Sequence, residues 1–417
     1  MMKNRILSLT AAMVLTLSAQ AAHINTDRSW YLAGEAMKVN VSAVDNAQIA
    51  YAELCDANGL AASAVVNLKQ GNGACTIELP SSLHSGYYVL SVYTRNNDRV
   101  LNKLVAVVNT LHKSLDDDIT WTKADSCYVT AKGAAELINK KNTDVRETEG
   151  QIIKSRINNV YGGKTYKADQ IRASLSIIGK QIHYFEGKME DDSTAVFYTF
   201  GGHGKQPLVL SAVTSTDVSL PIEMISPFEA LLPKKLPHLV FNYKRSEVEA
   251  RSLEMQRHQI IIAPAKQELQ LGVFTDEATE EAQPLEYSDN VFGTKPDLSY
   301  NLDEYRQFLT IKEVLIEYVN CVTKKRVKGT SKLFVRRELE PYNTILPSLI
   351  LIDGMPVQDV ERLLKYDARR IHYINIYGGQ YTFGSTVFNG ILSFVSCSGR
   401  LTNYPTEPNM QYLVYEF

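Results

Sequence analysis

Short strand-like stretches separated by turn residues fill residues 24–110, and they constrain the fold of this chain more than any other feature. Gly, Asn and Asp recur between these stretches at roughly the spacing expected of a β-sandwich. In the stretch YYVLSVYT, residues 87–94, both alternating faces are apolar, which indicates a central strand covered on both sides. The sequence therefore predicts a first sandwich over residues 22–110.

A second series of strands follows after a charged gap. Residues 111–150 contain the acidic turn KSLDDDIT and the charged stretch NKKNTDVRETEGQ, and we interpret them as an irregular linker with a solvated turn rather than a metal site. Alternating stretches such as QIIKSRI and STAVFYTFGG then predict a second, Ig-like sandwich over residues 151–228. Residues 229–300 are interpreted as a connector.

The hydrophobic period changes after residue 300. Residues 311–319 carry apolar side chains at helical spacing, and Thr310 with Glu313 forms a capping box at their start. The stretches SLILIDG, RIHYINIYG and GILSFVSC predict strands, and VQDVERLLKY predicts a second helix. Residues 301–400 are thus predicted to form a small α+β domain, followed by a tail, residues 401–417, with an edge strand that packs on the preceding domain. The predicted fold class is mainly β.

Three parts of the sequence resemble domains of exported proteins. INTDRSWYLAGEAMKVNV, AYAELCDANG and LPSSLHSGYYVLSVYTRN resemble the MG2-type macroglobulin domain of Bacteroidetes envelope proteins, and the second sandwich resembles the Ig modules that follow MG2 domains there. The order Asp353-Gly354, short helix, ARRIHYINIYGG, YTFG and NGILSFVS resembles the plug domain of TonB-dependent receptors. Only 17 residues (417 − 400) follow Arg400, whereas the smallest barrels need about eight strands. The resemblance therefore implies an exported envelope protein with a plug-like domain and no barrel.

The first residues predict export. Lys3 and Arg5 precede the apolar run ILSLTAAMVLTLSA, and Ala19-Gln20-Ala21 offers a cleavage site, so residues 1–21 are predicted to be a signal peptide. No later apolar run is long enough for a transmembrane helix in the mature chain. We expect a periplasmic or outer-membrane-associated protein. The net charge of −2 gives no reason to expect a nucleic-acid partner.

Five cysteines without a CxxC spacing argue against a metal cluster or a thioredoxin-like site. Cys55 and Cys75 lie in two strand-like runs, and a disulfide between them would be worth about 3 kcal/mol on the chain-entropy model. A pair of free buried thiols is the alternative, and the sequence leaves the two open.

No catalytic constellation is recognisable, since Walker A, G-x-S-x-G, H-E-x-x-H and EF-hand patterns are all absent from the sequence. His203 in FGGHGKQ lies in what is interpreted as a hairpin turn rather than an anion site. Glu313 and Glu317 are interpreted as a solvated helix face. We therefore predict no catalytic residue, no cofactor and no metal site, and leave any small-molecule ligand open.

The function predicted from these observations is a non-enzymatic binding or scaffold module that docks to an outer-membrane transport or export assembly. Its predicted docking loop consists of exposed turn residues: Asp353, Gly354, Gly378, Gly379 and Tyr381. The alternative is an accessory component of TonB-dependent nutrient uptake that supplies a plug-like or ligand-binding domain. A periplasmic enzyme ranks third.

Overall fold

A computed structural model describes residues 22–42, 44, 47–122, 128–130, 136–137, 147–178, 182–202, 204–257, 294–336, 346–397, 407 and 409–417. The predicted signal peptide, residues 1–21, lies outside these ranges, and so does His203. Within them the chain is mainly β, as predicted. None of the helices in these ranges is both long enough and apolar enough to cross a membrane.

Eight strands form the first sandwich: β1 (His23–Thr26), β2 (Trp30–Leu32), β3 (Ala36–Ser42), β4 (Ile49–Cys55), β5 (Leu60–Lys69), β6 (Asn72–Glu78), β7 (Gly86–Tyr93) and β8 (Val100–Val108). Their order is β1-β3-β6-β5-β4-β7-β8-β2, antiparallel except for the parallel pair β8-β2. Strand β3 buries Met37, Val39 and Val41 while Lys38 and Asn40 are exposed, so one face covers the core. Strand β7 is buried on both faces, which confirms the prediction for YYVLSVYT.

The segment after the first sandwich holds short elements: α1 (Leu115–Asp118), β9 (Ile119–Trp121), β10 (Tyr128–Thr130) and β11 (Glu136–Leu137). The second sandwich then comprises β12 (Gln151–Ile157), β13 (Val160–Tyr161), β14 (Lys164–Thr165), β15 (Ile171–Ile177), β16 (His183–Met189), β17 (Thr194–Thr199), β18 (Lys205–Thr214), β19 (Ser219–Leu220) and β20 (Ile222–Ile225). Its strand order is β19-β18-β15-β16-β17-β12-β20, and β13 and β14 form a separate hairpin. Leu175, Phe197 and Leu210 fill its core.

The chain then returns to the first sandwich through β21 (Pro233–Lys235), β22 (Leu239–Asn242) and helix α2, residues 245–257. Strand β22 pairs with β10 and, in parallel, with β9, while β21 pairs with β11. Phe241 contacts Trp30 edge to face, with ring centroids 5.1 Å apart. These parts of the predicted linker and connector are therefore strands, because their apolar side chains cover an outer face of the first sandwich.

The third unit, residues 294–336 and 346–397, contains β23 (Leu298–Asn301), α3 (Ile311–Glu317), β24 (Val322–Val327), β25 (Thr330–Val335), β26 (Leu349–Ile352), β27 (Met355–Pro356), α4 (Val360–Lys365), β28 (Ile371–Phe383) and β29 (Thr386–Ser396). Its main sheet has the order β23-β28-β29-β26-β27. Helix α3 begins at the predicted capping box, in which the Glu313 carboxylate accepts from the Thr310 backbone N–H at 3.0 Å. This region is the small α+β unit that the sequence predicts.

Both faces of the third unit's sheet are covered. On one face, Ile374 and Phe394 pack with side chains of α3 and α4. On the other face, Leu351 and Phe388 pack against Tyr184 of the second sandwich. Because apolar contact continues across this boundary, the second sandwich and the third unit form one packed body.

Strand β30 (Gln411–Glu416) is an edge strand, as predicted. It pairs with the second sandwich, and its Tyr412 also packs against the core of the third unit that precedes it. It runs antiparallel to β18, from Lys205↔Glu416 to Leu210↔Gln411. Tyr415 and Phe417 are buried in the core of the second sandwich. The chain therefore passes through the third unit and comes back.

Candidate functional site

The predicted docking residues Asp353 and Gly354 are buried, so they do not form an exposed docking turn. They do form the tight turn that the sequence indicates, with φ values of 46° and 86°. The Asp353 carboxylate accepts hydrogen bonds from the backbone N–H and the hydroxyl of Ser396 at 2.8 and 2.6 Å. A Cβ atom at Gly354 would lie 3.0 Å from a side-chain carbon of Ile182, because the second sandwich closes over the turn.

Gly378, Gly379 and Tyr381 do not lie in a loop either, because all three belong to strand β28. The two glycines form a bulge in the register between β28 and β29, and Gly379 has a φ of 115° that only glycine adopts readily. The Gly378 N–H donates to the Asp297 carboxylate at 2.5 Å. Tyr381 is half-buried and packs against the interface with the second sandwich. The five residues therefore do not form one exposed loop, and a role for them in docking stays a prediction.

Cys55 and Cys75 are free thiols in this structure. Cys55 lies on β4 and Cys75 on β6, and strand β5 runs between them, so the two side chains do not face each other across a strand pair. Burial raises the pKa of each thiol to about 12, which makes both of them inert. The sequence left a disulfide and two free thiols open as alternatives. The structure has the free thiols, so the possible disulfide is not formed.

An aromatic groove in the third unit replaces the predicted loop as the candidate contact site. Its walls include Tyr305, Phe308 and Tyr318, and the rings of Tyr305 and Tyr318 have centroids 4.5 Å apart. In this segment three apolar side chains are exposed, with Tyr305 38%, Leu309 65% and Ile316 63% accessible, and Tyr305 is the one among them that lines the groove. We call these three residues the 305–316 surface. No sequence signal reveals it, because YRQFL carries too few apolar positions to show a period.

Charged groups border the groove. Arg306 and Arg369 line it, and Asp303 lies at the same rim, where its carboxylate is 2.6 Å from Nδ1 of His372. The Arg369 guanidinium lies 2.7 Å from the carboxylate of Asp367 and lowers the pKa of that group. Arg306 has an exposed side chain. The rim thus carries groups of both signs, and Arg369 is already paired with a carboxylate.

Buried polar groups join the segment after the second sandwich to the first sandwich. The Glu53 carboxylate is fully buried, bonds the Tyr93 hydroxyl, and accepts from the backbone N–H groups of Glu229 and Leu231 at 2.7 and 2.9 Å. Nearby, the buried Glu147 carboxylate accepts from the Tyr51 hydroxyl at 2.6 Å. Because each buried carboxylate is bonded to a specific partner, the modules are held in a fixed arrangement.

One group of metal-binding side chains is present in the described part of the chain. His84, His112 and Asp118 each offer a ligand atom, and these atoms lie within 4.8 Å of one another. Asp118 belongs to the acidic run that the sequence analysis interpreted as a solvated turn. Its two histidine neighbours are separated from each other by 28 residues (112 − 84), so no sequence spacing reveals the group.

No protein-family model matches this chain, and no curated protein matches it. Solved structures do match. One is the BSP domain of a biofilm-associated protein, with 12% identity and a TM-score of 0.18, covering 54% of this chain and 30% of that one. Another is trypsin-activated alpha-2-macroglobulin from Escherichia coli, with 12% identity and a TM-score of 0.19, covering 50% of this chain and 16% of that one. Fibronectin(III)-like modules of Clostridium thermocellum CbhA also match, with 12% identity and a TM-score of 0.14, covering 52% of this chain and 93% of that one.

This chain spans less than a third of the length of the first two structures, and at these TM-scores the matches place it in no family. The plug-like identity of the third unit stays a prediction.

Proposed function

We propose that this protein is a non-catalytic exported binding protein whose third unit contacts an envelope protein through the 305–316 surface. The observation that carries the proposal is the exposure of Tyr305, Leu309 and Ile316 in one segment of the third unit, the same segment that supplies part of the wall of the aromatic groove. Apolar area rimmed by polar residues is typical of protein–protein contact sites. The predicted signal peptide supports export, and the sequence resemblance supports a partner in an outer-membrane transport or export assembly.

The partner that fits this surface carries aliphatic side chains and a carboxylate. Aliphatic groups complement the exposed Leu309 and Ile316, and burying one such side chain contributes roughly 1.5–3 kcal/mol. Arg306 at the rim offers a donor fork to a carboxylate. The opposite charges also speed association and select against basic partners.

The fixed arrangement of the modules supports a scaffold role. The third unit's sheet is covered by the second sandwich, and buried carboxylates join the first sandwich to the rest. A binding surface on such a body is held in one orientation, which lowers the entropic cost of docking. The first two modules therefore serve to position the third.

Site-specific photo-crosslinking in intact cells tests the surface. A photoreactive residue replaces Leu309 or Ile316, and in the control it replaces Leu253, an exposed leucine on helix α2 that is 57% accessible. We expect one dominant crosslinked envelope protein from positions 309 and 316 and none from position 253. The same product from all three positions, or none from 309 and 316, would contradict the proposal.

Affinity measurements with the purified crosslinked partner complete the test. Leu309→Asp and Ile316→Asp should each weaken binding at least tenfold, because a charge replaces buried apolar area, whereas Leu253→Asp should leave affinity unchanged. Equal affinity of all variants, each with an unfolding midpoint like that of the unsubstituted protein, would overturn the assignment of this surface.

A further inference from the structure

We propose that His84, His112 and Asp118 form a binding site for a divalent transition-metal ion of the Zn²⁺ class. The imidazole rings of His84 and His112 have centroids 4.0 Å apart, and Nδ1 of His84 lies 3.9 Å from Oδ2 of Asp118. Two imidazoles and one carboxylate make a donor set that Zn²⁺ prefers, whereas Ca²⁺ and Mg²⁺ take oxygen ligands. The donor set therefore selects the metal class.

The two loops that carry these ligands are tied together by Asn109. Its side-chain amide donates to the backbone carbonyls of Ser81 and Leu83 at 2.9 and 2.7 Å, and its backbone N–H donates to the Ser85 hydroxyl at 2.9 Å. The His84 carbonyl also accepts from the Tyr88 hydroxyl at 2.9 Å. The loop with His84 is thus fixed beside the segment with His112 and Asp118 before any metal binds.

Ser114 supports two of the three ligands directly. Its hydroxyl lies 2.8 Å from Nδ1 of His112 and donates to Oδ2 of Asp118 at 2.5 Å. Hydrogen bonds of this kind orient ligating side chains, and their loss typically lowers metal affinity about 10–100-fold. Ser114 is therefore a positioning residue for the site.

Small side-chain movements bring the ligands to metal distance. Bonds of about 2.1 Å in a tetrahedral site place ligand atoms about 3.4 Å apart. The observed separation of His84 Nδ1 and Asp118 Oδ2 is 3.9 Å, and all three ligand atoms lie within 4.8 Å of one another. The His84 side chain is 62% accessible, so it can adjust. Three protein ligands leave a fourth position that faces solvent, where water completes the tetrahedron.

A bound metal would join the loop with His84 to helix α1. Helix α1 leads directly into β9, which belongs to the sheet that covers the first sandwich. The ion would therefore fasten that covering sheet to the sandwich edge, and metal binding to the folded state alone raises stability.

Isothermal titration of the full, untagged chain with Zn²⁺ tests the site. We expect one ion per chain, and at least a tenfold loss of affinity in His84→Ala and in His112→Ala. His238→Ala is the matched control, because His238 is an exposed histidine elsewhere in the same module and should leave binding unchanged. Absence of Zn²⁺ binding, or equal affinity in all four proteins, would overturn the proposal.

Two further measurements separate the site from general effects of substitution. Ser114→Ala should weaken Zn²⁺ binding about 10–100-fold while its unfolding midpoint without metal stays close to that of the unsubstituted chain. Ca²⁺ and Mg²⁺ at the same concentration should not compete with Zn²⁺. Competition by Ca²⁺ would contradict the assigned metal class.

Discussion

At the scale of single residues, Glu147 has a buried carboxylate of which one oxygen is hydrogen-bonded and the other, among the described residues, is not. One carboxylate oxygen, Oε1, bonds the Tyr51 hydroxyl and the Ile152 N–H, and Arg95 lies 3.3 Å away. Burial nevertheless raises the pKa of Glu147 above its ordinary value of 4.5, because desolvation outweighs these contacts. An acid whose pKa is higher in the folded state binds more protons there than in the unfolded state. The free energy of unfolding therefore falls as the pH rises from the unfolded-state pKa through the folded-state pKa.

Glu147→Gln should remove this part of the pH dependence. We expect the stability of the unsubstituted chain relative to the variant to be greater near about pH 4.5 than near about pH 7.5, because only the glutamate must ionise while buried. Urea unfolding at both pH values measures the difference. Glu149→Gln, at a neighbouring exposed glutamate, should show the same relative stability at both values. A pH-independent difference for Glu147→Gln would contradict the burial argument.

The turn at Asp353-Gly354 shows what local sequence can and cannot predict. A tight turn with positive φ follows from Asp-Gly after an apolar strand, and the structure has it. Its exposure does not follow, because Ile182 covers the turn and lies 171 residues (353 − 182) away in the sequence. The conformation of the turn is determined by neighbouring residues and could be predicted. Its burial depends on a module distant in the sequence and could not.

At the scale of elements, the hairpin β28–β29 depends on Gly390. This residue lies within β29 with a φ of 80°, and a Cβ atom there would lie 2.9 Å from Cβ of Val335 and 3.0 Å from the carbonyl oxygen of Tyr377. The glycine therefore allows β25 and β28 to approach the strand closely.

Gly390→Ala should destabilise the protein by about 2–4 kcal/mol, because a left-handed backbone strain adds to the overpacking. Chemical unfolding measures the loss. Gly86→Ala is the matched control, since Gly86 also lies in a strand but has open space around its Cα and no positive φ. A loss below about 1 kcal/mol at position 390 would mean that Val335 moves away without cost.

Elements with a strong local signal were predicted, and those without one were not. Helix α3 follows from its apolar period and its capping box, both contained in ten residues, Thr310–Val319. Strands β9 and β22 were assigned to a linker and a connector, because three or four residues cannot show an alternation. They exist because β9 and β22 pair with each other across 117 residues (122–238) of intervening chain.

At the scale of the whole molecule, the interface between the second sandwich and the third unit has a core of its own. Ile182 and Tyr184 from one side pack with Leu349, Leu351 and Phe388 from the other. Glu186 adds a hydrogen bond from the Ser385 hydroxyl at 2.8 Å. The two modules should therefore lose structure together rather than one at a time.

Ile182→Ala should destabilise both modules by about 2–5 kcal/mol, because the truncation leaves a cavity at their boundary. Native-state hydrogen exchange should show faster exchange in β15 of the second sandwich and in β29 of the third unit alike. Val160→Ala, at an exposed side chain that is 49% accessible, should change neither. Faster exchange in β15 alone would show that the modules unfold independently.

Strand β30 gives the molecule an unusual mechanical property. The third unit lies between the second sandwich and a strand that is bonded back onto β18 of the same sandwich. A load applied at Phe417 would first meet the β18–β30 ladder, and the chain between these two strands, with the third unit, would bear no tension until that ladder opened. The third unit, with the 305–316 surface, would therefore keep its shape while the end of the chain is pulled.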